Sequence, residues 1–170
     1  GGHRKAFLAT STLVSIVGVA LLYFARPGQV LLALTLFVIS NVAYELCGVF
    51  YNSYLPDISP PDKIGRISGY GWALGYLGGL LAMVIALIGF IQPEQPWFGL
   101  STDEQQNVRA TTILVAVWFA VFAIPIFRWV PEAPHPDPPP LGELLRGTVK
   151  QLGDTFREIK RYGQIVRLLI

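Results

Sequence analysis

Four long stretches of this sequence are almost free of charged side chains, and this pattern restricts the possible fold more than any other feature. Together the stretches contain one acidic or basic residue, Glu45; they are residues 6–25, 29–51, 68–91 and 110–127. A helix of ~20 residues, rising ~1.5 Å per residue, crosses the ~30 Å hydrocarbon core of a membrane. The sequence therefore predicts an all-α integral membrane protein with four transmembrane helices within residues 1–130.

The composition excludes several other classes of protein. Charged residues make up 14% of the 170 residues, whereas soluble domains carry about a quarter. Cys47 is the single cysteine and the two histidines, His3 and His135, lie outside the four stretches, which argues against a disulfide framework and a metal site. No phosphate-binding Gly-Lys-Ser/Thr loop occurs. We therefore expect no catalytic residues, no metal, no cofactor and no nucleic-acid partner.

The basic residues predict the orientation in the membrane. The loops between the predicted spans form two sets on opposite sides. One set contains Arg26 and Arg109, and the other contains eleven basic residues: Arg4, Lys5, Lys63, Arg66, Arg128, Arg146, Lys150, Arg157, Lys160, Arg161 and Arg167. Because basic loops are retained on the cytoplasmic side, we expect segments 1–5, 52–67 and 128–163 to be cytoplasmic.

The region after the fourth span differs in composition. Residues 131–140 are rich in proline, which favours an extended, semi-rigid spacer. Apolar residues then recur at helical spacing, which predicts an amphipathic helix within 131–163, serving either as a packed connector or as a binding site for a protein or lipid. Residues 164–170 are apolar again and are predicted to begin a further span, so the chain is expected to be part of a longer protein.

The second span carries polar residues at helical spacing, which predicts one polar arc: Ser40, Asn41, Tyr44, Glu45, Gly48 and Asn52. Such an arc should face protein or an aqueous cavity, because lipid offers polar groups no partner. Asn41, Tyr44, Glu45 and Asn52 are therefore candidate substrate or coupling residues. Glu45 has two interpretations: a group that couples transport to protons or contacts substrate, or the partner of Arg4 or Arg66 in a structural or gating ion pair.

Small residues mark two other helix faces. Gly71, Gly75, Gly78 and Gly79 in the third span would let a neighbouring backbone approach closely, so they are predicted helix-packing residues. A glycine face that slides during a conformational cycle is the alternative. The first span carries a similar small and polar face: Thr10, Ser11, Thr12, Ser15 and Gly18.

Two motifs resemble a known transporter family. Residues 50–58, Phe-Tyr-Asn-Ser-Tyr-Leu-Pro-Asp-Ile, precede residues 65–79, Gly-Arg-Ile-Ser-Gly-Tyr-Gly-Trp-Ala-Leu-Gly-Tyr-Leu-Gly-Gly. Together they resemble the major facilitator branch related to the autophagy-associated vacuole effluxer. Residues 2–5, Gly-His-Arg-Lys, are similar to the end of the basic loop between the second and third helices of major facilitators. The resemblance implies a cytoplasmic charge network containing Arg4 and Lys5, with Glu45 as a partner.

The resemblance also implies an architecture and an activity. The chain would be a major facilitator fold fragment holding helices three to six of twelve, with 131–163 in the central cytoplasmic loop. The complete protein would lie in a bacterial inner membrane and move a small polar solute, such as an amino acid, by alternating access. A proton or another ion would couple transport, and the missing helices and the lipid bilayer would be its partners. A non-transporting membrane scaffold or receptor is the alternative function.

Overall fold

The computed structural model describes residues 4–131, and the regular structure within this range is entirely helical. Four helical segments are long and apolar enough to cross a membrane. We label the helices α1 (Arg4–Leu21), α2 (Val30–Asn52), α3 (Leu55–Ile58), α4 (Ile64–Ala86) and α5 (Gln106–Trp129). The predicted all-α membrane fold with four spans is thus confirmed. The predictions for 132–163 and 164–170 lie outside the described residues.

The observed helices extend beyond some of the apolar stretches that predicted them. The helix α4 begins at Ile64 and includes Arg66, and its end continues as a π-helical turn, Leu87–Ile91. The helix α5 begins at Gln106 and includes Arg109. Charge marks where the hydrocarbon ends, whereas the backbone hydrogen bonds of a helix continue into the polar interface.

The small and polar face of α1 packs against α2, except at Thr10. Ser11, Thr12, Ser15 and Gly18 are buried, while Thr10 is exposed and donates a hydrogen bond to the carbonyl of Ala6. The Ser15 hydroxyl donates to the Ser40 carbonyl over 3.2 Å, and Thr12 Oγ1 lies 3.5 Å from Cys47 Sγ. Such small residues permit close helix contact where lipid provides no hydrophobic drive. We call this interface the α1–α2 seam.

The helix α5 is antiparallel to α1 and is tied to it at both ends. At one end, Lys5 Nζ donates to the Val130 carbonyl over 2.8 Å. At the other, Arg109 Nη1 donates to the Tyr23 carbonyl over 3.1 Å, and Gln106 Nε2 to the Tyr23 hydroxyl over 3.1 Å. We refer to these as the Arg4 end and the Tyr23 end of the bundle.

The helix α4 is packed more loosely than α1, α2 and α5. None of its residues is buried, whereas each of the other three long helices has at least three buried residues. Its π-helical turn is better anchored, because Asn107 Nδ2 donates to the Phe90 carbonyl over 2.9 Å. The first part of α4 consequently stands beside α2 with open space between the two helices.

Candidate functional site: a cavity between α2 and α4

The open space between α2 and α4 is a cavity of about 630 Å³. Its lining residues carry hydroxyls, one amide and one indole N–H as polar groups, and none of them is charged. The lining from α2 and the segment after it is Tyr44, Gly48, Tyr51, Asn52, Leu55 and Ile58; the lining from α4 is Ile67, Ser68, Gly71, Trp72, Gly75, Tyr76, Gly79, Leu80 and Met83. Apolar surface with a few polar groups is typical of small-molecule sites.

The glycines of α4 leave room for this cavity. A Cβ atom placed on Gly75 or Gly79 would meet no atom of another residue within 4 Å, and one on Gly71 would lie 3.7 Å from the Tyr51 hydroxyl. Gly78 instead faces α5, where its Cβ position is 4.0 Å from Trp118 Nε1. Within residues 4–131 no helix backbone closes on Gly75 or Gly79, so their helix-packing role stays a prediction.

The residues of the polar arc predicted on α2 do not all face the same neighbour. Ser40 lies in the α1–α2 seam, away from the cavity, so this part of the arc faces protein. Tyr44, Gly48 and Asn52 line the cavity. The Tyr44 ring also makes an edge-on contact with Phe119 of α5, with 5.8 Å between centroids.

Asn41 and Glu45 are exposed on α2 but do not line the cavity. Glu45 lies three residues before the lining residue Gly48, and Asn41 lies seven residues before it; these spacings place side chains on one side of a helix. Among the described residues, Glu45 has no ion pair and no side-chain hydrogen bond. Glu45 is therefore an exposed residue of α2 that lies outside the buried α1–α2 seam.

The structure gives Arg4 a different partner from the one that the sequence suggested. Arg4 Nη2 forms an ion pair with Asp57 Oδ2 at 2.5 Å, and its Nη1 donates to the Ser53 carbonyl over 2.9 Å. The guanidinium lies over the ring of Tyr54, 4.9 Å from its centroid. The predicted pairing of Glu45 with Arg4 is therefore wrong.

The other two basic candidates also have partners other than Glu45. Arg66 Nε donates to the Tyr70 hydroxyl over 2.9 Å, one helical turn along α4. Lys5 donates to the Val130 carbonyl at the end of α5. Asp57 was not among the predicted site residues; the signal that could have indicated it is an acidic side chain in the short segment between α2 and α4, which is predicted to lie on the same side of the membrane as Arg4.

These contacts join the start of α1 to the connection between α2 and α4. Asp57 belongs to α3 and Ser53 directly follows α2, so the Arg4 side chain links α1 to the segment that carries the lining residues Leu55 and Ile58. In the part of the chain that the structure describes, no group of three or more His, Cys, Asp or Glu residues could hold a metal ion. The site offers aromatic faces, hydroxyls and an amide, which suit binding of a small solute.

The chain matches the family described as "Vacuole effluxer Atg22 like" over residues 1–64 and 62–170. It is 22% identical over 169 residues to an uncharacterised MFS-type transporter, YxiO, of Bacillus subtilis, covering 99% of this chain and 39% of that protein. It is 35% identical over 74 residues to autophagy-related protein 22 of Yarrowia lipolytica, covering 44% of this chain and 11% of the relative. No solved structure matches it.

A third relative, autophagy-related protein 22-1 of Penicillium rubens, is 32% identical over 71 residues, covering 42% of this chain and 11% of the relative. The chain thus spans about two fifths of the bacterial relative and about a tenth of the fungal ones. The family-model matches together extend over the whole chain, including the four membrane-spanning segments and the cavity between α2 and α4.

Proposed function

The chain belongs to the vacuole effluxer Atg22-like family, and from this premise we propose that it is part of a secondary transporter of the major facilitator type. The complete protein moves a small polar solute by alternating access, in which two halves rock around a central site. The four spans correspond to helices three to six of twelve. The bilayer and the remaining helices are the partners of this segment.

One observation carries this proposal: the membrane-spanning helices α2 and α4 border a cavity lined by glycine, aromatic, aliphatic and hydroxyl-bearing residues and by one asparagine. Within a membrane, polar groups are costly unless they face protein or water. Tyr44, Asn52 and Ser68 are therefore well placed on the wall of a solute pathway. The remaining wall belongs to helices outside this chain.

Amino acids are the proposed substrate class. The lining residues of this half are uncharged, with tyrosine hydroxyls and the Asn52 amide as hydrogen-bonding groups and Trp72 and Tyr76 as aromatic surfaces. These groups can hold the side chain of an amino acid. Its ammonium and carboxylate would then be bound by the other half of the protein or by Asn41 and Glu45.

The proposed setting is a bacterial inner membrane, with the Arg4 end of the bundle in the cytoplasm. The excess of basic residues at that end supports this orientation, since short basic loops stay on the cytoplasmic side. Arg4, Lys5 and Arg66 are proposed gating residues because they lie at this end, where Arg4 and Lys5 connect different helices. Glu45 is the proposed coupling residue.

The test is flux through the complete protein reconstituted in liposomes. A pool of labelled amino acids is offered with and without a proton gradient, and uptake is compared with protein-free liposomes. The decisive variant is Gly75→Leu, which places a side chain in the cavity. Gly69→Leu is the matched control, because Gly69 also lies on α4 in open space but does not line the cavity.

We expect uptake of at least one amino acid, its loss in Gly75→Leu and its retention in Gly69→Leu. Equal activity in the two variants would show that the cavity is not part of the solute pathway. A folded protein that moves none of the tested solutes, with or without a gradient, would contradict the transporter proposal and favour the scaffold or receptor alternative.

A further inference from the structure

A second concave surface lies between α1 and α5, separate from the cavity between α2 and α4. This groove has a volume of about 460 Å³. Its walls are almost wholly apolar, with Leu13 and Ile16 on α1 facing Ala120, Ala123 and Ile124 on α5. The alanines keep the groove open because their side chains end at Cβ, while the longer residues form its sides.

The groove has the length of one leaflet rather than of the whole membrane. On α5 its lining runs from Ala120 to Arg128, a separation of eight positions or roughly 12 Å of helix. Half of the hydrocarbon core is ~15 Å thick. The groove therefore begins at the Arg4 end of the bundle and stops near the middle of the bilayer.

A cationic side chain lies at the mouth of this groove. Arg128 is in the last turn of α5 and is exposed. Among the residues that the structure describes, it has no ion pair and no side-chain hydrogen bond. Its neighbour Trp129 is 74% exposed, as expected of a residue at the level of lipid headgroups.

We propose that this groove binds an anionic phospholipid, with an acyl chain between α1 and α5 and the headgroup phosphate at Arg128. The apolar walls match a hydrocarbon chain, and the guanidinium matches a phosphate, which it can bind through two parallel hydrogen bonds. Basic pockets between transmembrane helices are suited to anionic headgroups. The site concerns lipid recognition and is independent of the solute that the protein transports.

The experiment uses the full-length protein, purified in a mild detergent and titrated with phosphatidylglycerol or with phosphatidylcholine of the same acyl chains. Native mass spectrometry counts the bound lipids. Two variants alter the two parts of the site: Arg128→Gln removes the charge, and Ala123→Leu fills the groove. Lys63→Gln is the matched control, because Lys63 is an exposed basic residue at the same end that does not line the groove.

We expect one phosphatidylglycerol to bind in preference to phosphatidylcholine, and Arg128→Gln to weaken its binding about fivefold, as the loss of one basic residue near anionic headgroups implies. Ala123→Leu should weaken the binding of both lipids. Arg128→Lys should restore most of the preference, and Lys63→Gln should change nothing.

Three results would overturn the proposal. The first is equal binding of the two lipids by the unmodified protein. The second is phosphatidylglycerol binding that is unchanged in both Arg128→Gln and Ala123→Leu. The third is an equal loss in Lys63→Gln, which would indicate a diffuse surface charge. Size-exclusion chromatography confirms that each variant is folded before titration.

Discussion

Arg4 and Asp57 form an ion pair across 53 residues of sequence, with 2.5 Å between Nη2 and Oδ2. The Arg4 side chain is 17% exposed and that of Asp57 is 38% exposed, so water screens the pair only in part. We expect a double-mutant cycle of Arg4→Gln and Asp57→Asn to give a coupling free energy of about 1 kcal/mol. Unfolding of the full-length protein in detergent measures it.

Asp62→Asn is the control for this cycle. Asp62 is an exposed carboxylate in the same connection between α2 and α4, and it has no ion pair among residues 4–131. Combined with Arg4→Gln, it should give additive losses and no coupling. A coupling as large as that of Asp57 would mean that the general charge of this loop, rather than the ion pair, stabilises α1.

The α1–α2 seam predicts a clash at Gly18. A Cβ atom there would collide with Ser40 Oγ and would lie 3.3 Å from Ser40 Cβ. We expect Gly18→Ala to destabilise the protein by ~1–3 kcal/mol, because overpacking outweighs the gain in helix propensity. Thermal unfolding in detergent measures the loss.

The double variant Gly18→Ala/Ser40→Ala tests the cause of that loss. Removing Ser40 Oγ leaves the hydrogen bond from Ser15 intact, since Ser15 donates to the Ser40 carbonyl. Stability should therefore recover. Gly48→Ala should cost nothing, because no atom lies within 4 Å of its Cβ position. A failure of Ser40→Ala to rescue Gly18→Ala would show that another contact limits the approach of the helices.

The buried Asn107 side chain should anchor the π-helical turn that ends the third span. It is 6% exposed and donates to the Phe90 carbonyl, one of the carbonyls that a helix end leaves without a backbone partner. We expect Asn107→Ala to cost ~1–3 kcal/mol of unfolding free energy. Gln95→Ala, an exposed change in the same loop, should be neutral; equal effects would contradict the anchoring role.

In the proposed transporter, we expect Glu45 to couple the uptake of solute to protons. We expect Glu45→Gln to lose gradient-driven accumulation, down to the level of protein-free liposomes, while exchange of internal for external solute continues. Exchange needs no net proton movement, whereas accumulation requires a group that changes its charge. Glu45→Asp keeps a carboxylate and should keep some accumulation. Normal proton-driven uptake by Glu45→Gln would reject the coupling role.

The membrane-spanning helices could be predicted because burying a charge in lipid is costly, so that long stretches without charged residues mark the spans. The small face of α1 was predictable for a related reason, since Ser11, Ser15 and Gly18 recur at helical spacing. Spacing alone could not separate Ser40 from Tyr44, because the boundary between a packed side and an open side depends on where the neighbouring helix lies.

The charge pairing was harder to predict from the sequence. Glu45 looked like the partner of Arg4 because it is the one acid within a predicted span, yet Asp57 occupies that position. The short helix α3 turns the chain after α2 and brings Asp57 under the start of α1. A contact of this kind depends on how the chain folds in three dimensions, and it produces no periodic pattern in the sequence.

The α1–α2 seam also bears on how the chain enters the membrane during synthesis. Its buried residues, from Leu8 to Cys47, are all made before α4 begins at Ile64. Because short loop closures form early, this hairpin can pair as soon as both helices have left the translocation machinery. We expect α5 to join α1 next, because hydrogen bonds connect the two helices at both ends, whereas α4 has no buried residue to hold it. We therefore expect α4 to be the last of the four to settle.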